Sequence, residues 1–170
     1  IVQGYFLPPV SFSTEEANAL LLIEVLVNGF TDQSVRKQYA SALDKIRAVL
    51  KGHQKEKLEQ LTDKIRFQKP ACYDLHFEYL PALQNAIAAR TIIEVEYLNQ
   101  KEEASCRKIE PIGLIFYAFN WHLIGWCHSR HDYRDFRVSR IKKITDTGLP
   151  FRKKAHIELN EYMKQLPVNY

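Results

Sequence analysis

Hydrophobic positions in the first 50 residues recur with a helical period. Ser13 stands three residues before Glu16, the capping-box pattern, and an apolar run follows until the "NG" pair at 28 and 29, so we predict a helix over 14–27. A second helix is predicted from about residue 32 to residue 52, because its apolar side chains fall on one face: Val35, Tyr39, Leu43, Ile46 and Leu50. We expect a short, charged third helix in "QKEKLEQLTDKI" and a short strand or linker in "IRFQKP".

From Thr91 onward the hydrophobic period changes to two, the alternation that strands show. A helix is predicted before this change, in "YLPALQNAIAAR", with one apolar face: Leu80, Leu83, Ala86 and Ile87. Five short strands are predicted after it: "TIIEVEYL", "ASCRKIEPIGLIFY" broken in two around Pro111 and Gly113, "WHLIGWCH" and "DFRVSRIKKI". Because short turns and no crossover helices join them, we expect a small antiparallel barrel, and "IELNEYMKQL" predicts a closing helix.

The predicted fold class is therefore α+β, in two parts. Residues 1–69 form a helical region, and residues 70–170 form a β-barrel with flanking helices. The chain has 170 residues, 46% of them hydrophobic and 26% charged, which suffices for one core, or one core and a small satellite.

The hairpin predicted from "WHLIGWCH" and "DFRVSRI" mixes core and polar positions. Both faces of the first strand are largely apolar, so we expect it to be central, with His122 as the exception. A histidine in such a place is usually a core residue with one satisfied hydrogen bond. Arg137 and Ser139 share one face of the neighbouring strand, which is either plain solvated surface or a concave polar patch with His122. Arg134 and Arg140 share the parity of Phe136 and Val138, so they must lie at the strand ends or be turned outward by a bulge.

Positive charge is concentrated in the second half of the chain. The net charge is +4 overall, but residues 104–154 contain 11 Lys/Arg against four Asp/Glu. Ordinary solvated surface is one explanation. The other is an anionic partner, because three arginines at intervals of three suit phosphate or carboxylate, and nearby aromatic side chains could stack on bases: Trp121, Trp126 and Tyr133.

Enzymatic, metal and membrane functions receive little support from the sequence. There is no GxSxG, P-loop, GxGxxG or HExxH motif, so we expect no catalytic residues, no cofactor and no enzymatic activity. Cys127, His128 and His131 lack a second ligand cluster with zinc spacing, so we expect no metal. Three distant cysteines suit reduced thiols in the cytoplasm, and "ALLLIEVLV" is too short to cross a membrane.

The segment "IEPIGLIFYAFNWHLIGWCHSRHDYRDFRVSRIKKI" resembles the WYL domain of bacterial transcriptional regulators. The matching positions are a P-x-G-L strand start, a Trp-x-Leu strand and an R-x-F-R-x-x-R-I strand: Pro111, Gly113, Leu114, Trp121, His122, Leu123, Arg134, Phe136, Arg137, Arg140 and Ile141. The opening "GYFLPPVSFSTEEANAL" is similar to the stretch that follows the wing of the winged helix-turn-helix in such regulators. Since the chain begins without Met in an extended stretch, we expect it to be a segment of a longer protein.

The resemblance implies a Sm/SH3-like barrel with a ligand site and a structural motif. It implies ligand contacts from His122, Arg134, Arg137 and Arg140, with Arg107 as a weaker addition, and structural roles for Trp121, Leu123 and Phe136. Two positions depart from the family pattern. His122 replaces the middle tyrosine and brings a side chain that titrates near neutrality, and Ser139 stands where an acid is frequent, so the site should be more positive.

The resemblance implies an effector-sensing and oligomerising part of a transcriptional regulator. The implied ligand is a nucleotide-like molecule or a single-stranded nucleic acid, duplex DNA is bound through a missing N-terminal domain, and the helices before residue 69 act as a linker and dimerisation region of a homodimer. The alternative is a stand-alone barrel that binds single-stranded nucleic acid without a regulatory partner. An enzyme of nucleotide metabolism is a third and weaker hypothesis, because no catalytic constellation is present.

Overall fold

The computed structural model describes residues 12–50, 64–66, 68 and 77–165. Its contacts divide the chain into two compact units, Ile1–Thr31 with Val35–Ala71 and Asp32–Ser34 with Cys72–Tyr170. No helix in the part of the chain that the structure describes is long and apolar enough to cross a membrane.

The first unit contains helix α1, Thr14–Phe30, and most of helix α2, Gln33–Val49. The predicted capping box is confirmed, because the Ser13 hydroxyl accepts the N–H of Glu16 and the Glu16 carboxylate accepts the N–H of Ser13. The two helices share a small buried core, formed by Ala17, Leu21 and Leu43.

Two predicted helix ends in this unit differ from the structure. The predicted stop at residue 27 is wrong, since α1 continues through Gly29 and ends where the N–H and hydroxyl of Thr31 both donate to the carbonyl of Val27. Gly29 is buried, and a glycine in a helix interior costs about 1 kcal/mol; the two Thr31 hydrogen bonds, about 0.5–1.5 kcal/mol each, offset this cost. Helix α2 ends at Val49, before the predicted end at 52. The third predicted helix lies almost wholly outside the described residues, as does part of "IRFQKP".

The second unit begins with helix α3, Leu80–Ala89, whose predicted apolar face is confirmed by the burial of Leu80, Leu83 and Ala86. The carboxylate of Asp32 accepts the N–H of Leu80 at 2.8 Å and the hydroxyl of Ser34 at 2.6 Å. Asp32 is fully buried. A carboxylate 48 residues away in sequence therefore satisfies one of the free N–H groups at the start of α3.

Five antiparallel strands form one sheet after α3, as predicted. They are β1 Thr91–Leu98, β2 Ala104–Tyr117, β3 Asn120–Cys127, β4 Asp132–Arg137 and β5 Ile141–Pro150, in the order β4-β3-β2-β1-β5. The α+β class is confirmed. A closed barrel is not, because the hydrogen bonds of the described residues leave β4 and β5 as the two edges of the sheet.

The strands are divided differently from the prediction. Strand β2 runs through Pro111 without a break, and a bulge between Pro111 and Gly113 accommodates the missing proline N–H. The segment predicted as one final strand is instead β4, a 3₁₀ turn over Val138–Arg140, and β5. Val138 and Ile141 are three residues apart, and a 3₁₀ turn brings side chains at this spacing to the same side, so both enter the core.

The sheet is strongly curved, although it does not close. Tyr97 on β1 packs its ring edge against Phe136 on β4, with 5.3 Å between centroids, and its hydroxyl accepts the N–H of Arg137 at 3.2 Å. Strands β1 and β4 are separated by two other strands in the sheet order, so only curvature can bring these residues together. The concave side encloses the larger core, which includes Ile93, Val95, Ile109, Leu123 and Val138.

The closing helix α4, Leu159–Gln165, follows the sheet as predicted. Leu159 packs directly on Gly113, where a Cβ would lie 2.5 Å from the Cδ2 atom of Leu159. Residues 151–158 connect β5 to this helix without regular secondary structure.

Candidate functional site

A cleft of about 520 Å³ lies where the end of β1, the start of β2 and the β3–β4 hairpin meet. Its lining combines three arginines with two aromatic rings and a buried thiol: Arg107, Arg130, Arg134, Tyr97, Phe136 and Cys127. Glu103 and Asp135 also border it. The volume is in the range of small-molecule sites, and the arginines make an anion the best-matched occupant.

Strand alternation explains how two of these arginines reach the cleft. Arg107 stands two residues before Ile109 on β2, and Arg134 stands two residues before Phe136 on β4. Residues two apart on a strand share a face, and both Ile109 and Phe136 are buried. The arginines therefore lie on the core face, at its rim, where their charged ends reach solvent.

Internal contacts leave the charges of these arginines largely uncompensated. Arg107 donates to two hydroxyls, of Ser129 at 2.8 Å and of Ser105 at 3.2 Å. Arg134 lies 3.3 Å from Asp132, an ion pair between half-exposed side chains that contributes little. Arg130 is exposed on the hairpin and forms no ion pair with any acid among the described residues.

His122 lies on the other face of the same hairpin, directly opposite Arg137 in the β3–β4 register. Its Nδ1 atom contacts a carboxylate oxygen of Asp135, and its ring stacks on Tyr117 with 4.0 Å between centroids. The second Asp135 oxygen accepts the hydroxyl of Tyr117. Burial, followed by this hydrogen bond, raises the pKa of Tyr117 above its ordinary value. His122 is only 9% exposed, so its contacts are those of a satisfied core histidine.

The remaining predicted ligand residues do not border the cleft. Arg137 donates through Nε to the hydroxyl of Ser139 at 3.1 Å, and Arg140 lies in the 3₁₀ turn, so the strand parity expected for it does not apply. The five residues thus fall into three places: Arg107 and Arg134 in the cleft, His122 and Arg137 on the opposite face, and Arg140 in the turn. Their roles in binding stay predictions.

The predicted structural residues lie in or beside the core. Leu123 is fully buried and Phe136 is 6% exposed. Trp121 is half-buried and packs against Phe116 with 5.3 Å between ring centroids.

Sequence reasoning missed three residues that the structure makes prominent. Arg130 lies outside the motif positions, although a cation in a turn between cleft-forming strands is a usable signal. The sequence pattern gives Tyr97 no partner, because its contact with β4 depends on sheet curvature. Glu110, an acid inside an apolar strand, is fully buried and lies on the other side of the sheet from the cleft.

The candidate metal ligands do not converge. Cys127 lines the cleft, with its sulfur 3.3 Å from the hydroxyl of Ser129, whereas His128 lies beside Glu110. Within the described ranges, no group of three His, Cys, Asp or Glu side chains is placed to hold a metal ion.

Known proteins match the part of the chain that forms the sheet. Residues 78–146 match the family model of the WYL domain. The chain contains a WYL domain. The resemblance predicted from the motifs is therefore confirmed, and the WYL domain covers α3, β1 to β4 and the first half of β5.

Similar proteins include two kinds of curated relative. The DNA-binding transcriptional repressor CapW of Escherichia coli (strain KTE188) is 30% identical over 93 residues, which are 53% of this chain and 31% of CapW. Protein PafB of Mycobacterium leprae (strain TN) is 29% identical over 142 residues, 82% of this chain and 41% of PafB. The chain thus spans less than half the length of either relative.

A solved structure, the proteasome accessory factor B/C (PafBC) of Arthrobacter aurescens, is also similar. It is 20% identical, with a TM-score of 0.44 over 89% of this chain and 24% of that chain. This likeness is too weak to assign a fold.

Proposed function

We propose that this chain is the effector-sensing part of a transcriptional regulator, with the cleft of its WYL domain as the effector site. The WYL match and the relative named as a DNA-binding transcriptional repressor support the regulatory role. The proposal assigns the chain no catalytic activity and places it in the cytoplasm, where such regulators meet DNA. A separate helix-turn-helix domain of the whole protein would bind duplex DNA. Residues 1–69 would link that domain to residues 70–170 and would form the dimer contact between two copies of the protein.

The effector in this proposal is a nucleotide-like molecule or a short single-stranded nucleic acid. The observation that carries it is the arrangement of Arg107, Arg130 and Arg134 around one cleft; among the described residues, neither bordering acid, Glu103 or Asp135, forms an ion pair with them. Guanidinium groups bind phosphate oxygens with two parallel hydrogen bonds. Tyr97 and Phe136 supply apolar surface on which a sugar or base can rest.

The same proposal extends to the fold. The contact of Tyr97 with Phe136 supports bending of the sheet toward a Sm/SH3-like barrel, in which the cleft is one open end. In such a barrel the effector would contact three strands at once. Effector binding would then change the position of β4 relative to β1, and this change is the means by which the effector would influence the attached DNA-binding domain.

Removing one cleft arginine should weaken binding of an anionic ligand. In Arg107→Ala, Arg130→Ala or Arg134→Ala, loss of a charge-assisted contact should cost about 1.5–3 kcal/mol, roughly a 10- to 150-fold rise in Kd. Fluorescence anisotropy with labelled oligothymidylates, and competition by mono-, di- and cyclic nucleotides, measures this. Lys142→Ala, which changes an exposed cation of β5 that does not line the cleft, is the matched control and should bind as wild type.

Two further variants distinguish the faces of the hairpin. Arg137→Ala and His122→Asn alter the opposite face, and the cleft assignment predicts that they leave affinity within about twofold, since neither side chain borders the cleft. A loss of affinity in these two variants alone would indicate that the ligand binds to that face. A loss in none of the variants would refute an arginine-based effector site.

The alternative of a stand-alone binder of single-stranded nucleic acid is favoured by the same cleft and by the excess of cations in residues 104–154. The two proposals differ in ligand length. Saturation by a mononucleotide supports an effector site, whereas affinity that rises steadily with oligonucleotide length, with a steep salt dependence, supports the alternative.

A further inference from the structure

Residues 151–157, which lie between β5 and α4, contact the convex side of the sheet. We call these residues the strap. Glu110 pairs with Trp126 across β2 and β3, and Trp126 pairs with Tyr133 across β3 and β4. Cross-strand partners share a face, so these three side chains form one row. The cleft arginines on β2 and β4 have the opposite parity, and therefore the strap and the cleft lie on different faces.

Glu110 is the main anchor of the strap. Its carboxylate accepts the N–H of Arg152 at 2.8 Å and that of Lys153 at 3.2 Å, and the Nε2 atom of His156 lies 2.8 Å from Oε2. His128 from the β3–β4 turn places its Nε2 atom 2.9 Å from Oε1, close enough for charge attraction but without hydrogen-bond geometry. Three strap groups thus depend on one fully buried carboxylate.

Tyr133 is the second anchor, and it determines which nitrogen of His156 carries the proton. Its hydroxyl oxygen accepts the N–H of Ile157 at 3.0 Å, so its own hydrogen can donate to Nδ1 of His156 at 3.1 Å. Nδ1 must then be unprotonated, and Nε2 carries the hydrogen donated to Glu110. The neutral imidazole satisfies every member of this network. A second proton, on Nδ1, would reverse this bond: the Tyr133 hydroxyl would have to accept from Nδ1 as well as from Ile157, and its own hydrogen would lose its acceptor.

Cations and aromatic rings pack around the same network. Lys153 places its ammonium 4.2 Å from the centroid of the Trp126 ring, and Phe151 lies 5.0 Å from the His156 ring. Arg90, at the end of α3, stacks over Phe151 at 5.2 Å. The groups that face His156 are therefore one carboxylate, Glu110, two cations, Arg90 and Lys153, and the neutral phenol of Tyr133.

We propose that the strap is an acid-sensitive latch: protonation of His156 in its contact with Glu110 releases residues 151–157 from the sheet. The strap site is then a peptide-binding site that the chain fills with its own segment, and release would free a basic stretch, Arg152 to Lys154. This inference does not depend on the cleft or on its effector.

The direction of the pH effect follows from the two pKa values. Burial lowers the pKa of His156 and outweighs the attraction of Glu110, so the closed strap binds the proton less well than the released strap. The contribution of His156 to strap closure is therefore complete above the ordinary histidine pKa, about 6.5. It is lost as the pH falls from about 6.5 through the lowered pKa that His156 has in the closed strap. Burial also disfavours the charged form of Glu110, but the hydrogen bonds from Arg152, Lys153 and His156 hold its pKa below normal, so its contribution is lost only at more acidic pH.

Hydrogen exchange of three amides measures the latch directly. The N–H groups of Arg152, Lys153 and Ile157 donate to the two anchors, so their protection reports closure. After correction for intrinsic exchange, we expect the released fraction to rise up to about tenfold per pH unit below about pH 6.5, one proton being taken up on release. The internal reference is the N–H of His128, bonded to the carbonyl of Lys108 in the sheet, whose protection should not change.

Histidine variants of the full chain identify the sensing group. His156→Gln keeps a donor for Glu110 but cannot titrate, so the pH step should disappear. His131→Gln, which changes an exposed histidine of the hairpin, is the matched control and should keep the step. The proposal fails if the step survives in His156→Gln, if His128→Gln abolishes it instead, or if the His128 amide of the wild type loses protection together with the strap.

Discussion

Leu123→Ala is expected to lower the free energy of unfolding of the sheet unit by about 2–5 kcal/mol. Leu123 is fully buried on the central strand β3, in register with Leu114 on β2 and Phe136 on β4. Removing its side chain leaves a cavity that two hydrogen-bonded neighbour strands cannot collapse to fill. Urea unfolding followed by tryptophan fluorescence measures the effect, because both tryptophans, Trp121 and Trp126, lie on this strand.

The matched control is Leu149→Ala on the edge strand β5. Leu149 is 48% exposed, so the same truncation removes little buried surface and should cost well under 1 kcal/mol. Equal losses in the two variants would mean that Leu123 is not part of a packed core. The fold is tested by the difference between the free energies of unfolding of the two variants, determined with the same m-value.

Gly125→Ala is expected to cost about 3 kcal/mol, because the site has no room for a methyl group. A Cβ at this position would lie 2.5 Å from the Cγ2 atom of Ile109, 2.8 Å from the carbonyl oxygen of Glu110 and 3.2 Å from the Cα atom of Pro111. Two of these three atoms belong to the backbone of β2, so relief requires strands β2 and β3 to move apart. The same urea experiment measures the loss.

Gly148→Ala provides the comparison for Gly125→Ala. A Cβ on Gly148 meets no atom within 4 Å, but its φ of +66° is a left-handed conformation, which costs alanine about 1 kcal/mol. We therefore expect the crowded glycine to be the more sensitive of the two. The reverse order would show that β2 yields easily at the bulge. Since Gly125 is paired with Arg134, the crowded variant should also displace one side of the cleft.

Local sequence signals were sufficient wherever neighbouring residues decide the structure. The capping box of Ser13 and Glu16, the apolar face of α3, the alternation in β1 and the central position of β3 all appear as predicted. The errors occur where packing outweighs local preference. Helix α1 passes through the buried Gly29 to the cap at Thr31, and the last predicted strand breaks into β4, a 3₁₀ turn and β5 because Val138 and Ile141 both enter the core.

The chemistry of the candidate site could be predicted from the sequence, but the set of residues that form it could not. An excess of arginine and the motif around "RDFRVSRI" indicated an anion partner, and two of the indicated residues, Arg107 and Arg134, lie together in the cleft. Strand parity alone separates Arg137 from Arg134, but it does not say which face has a cavity. Arg130 joins the cleft only because the hairpin folds over the start of β2.

The sequence by itself determined the class of elements, their order, and the WYL motif that the family match confirms, because each depends on residues a few positions apart. Only the tertiary structure decided which faces meet. The contact of Tyr97 with β4 depends on the curvature of five strands, and the hold of Glu110 on the strap joins residues more than 40 positions apart. Such contacts depend on strand twist, bulges and core packing together, and no pattern of neighbouring residues in the sequence specifies their combined effect.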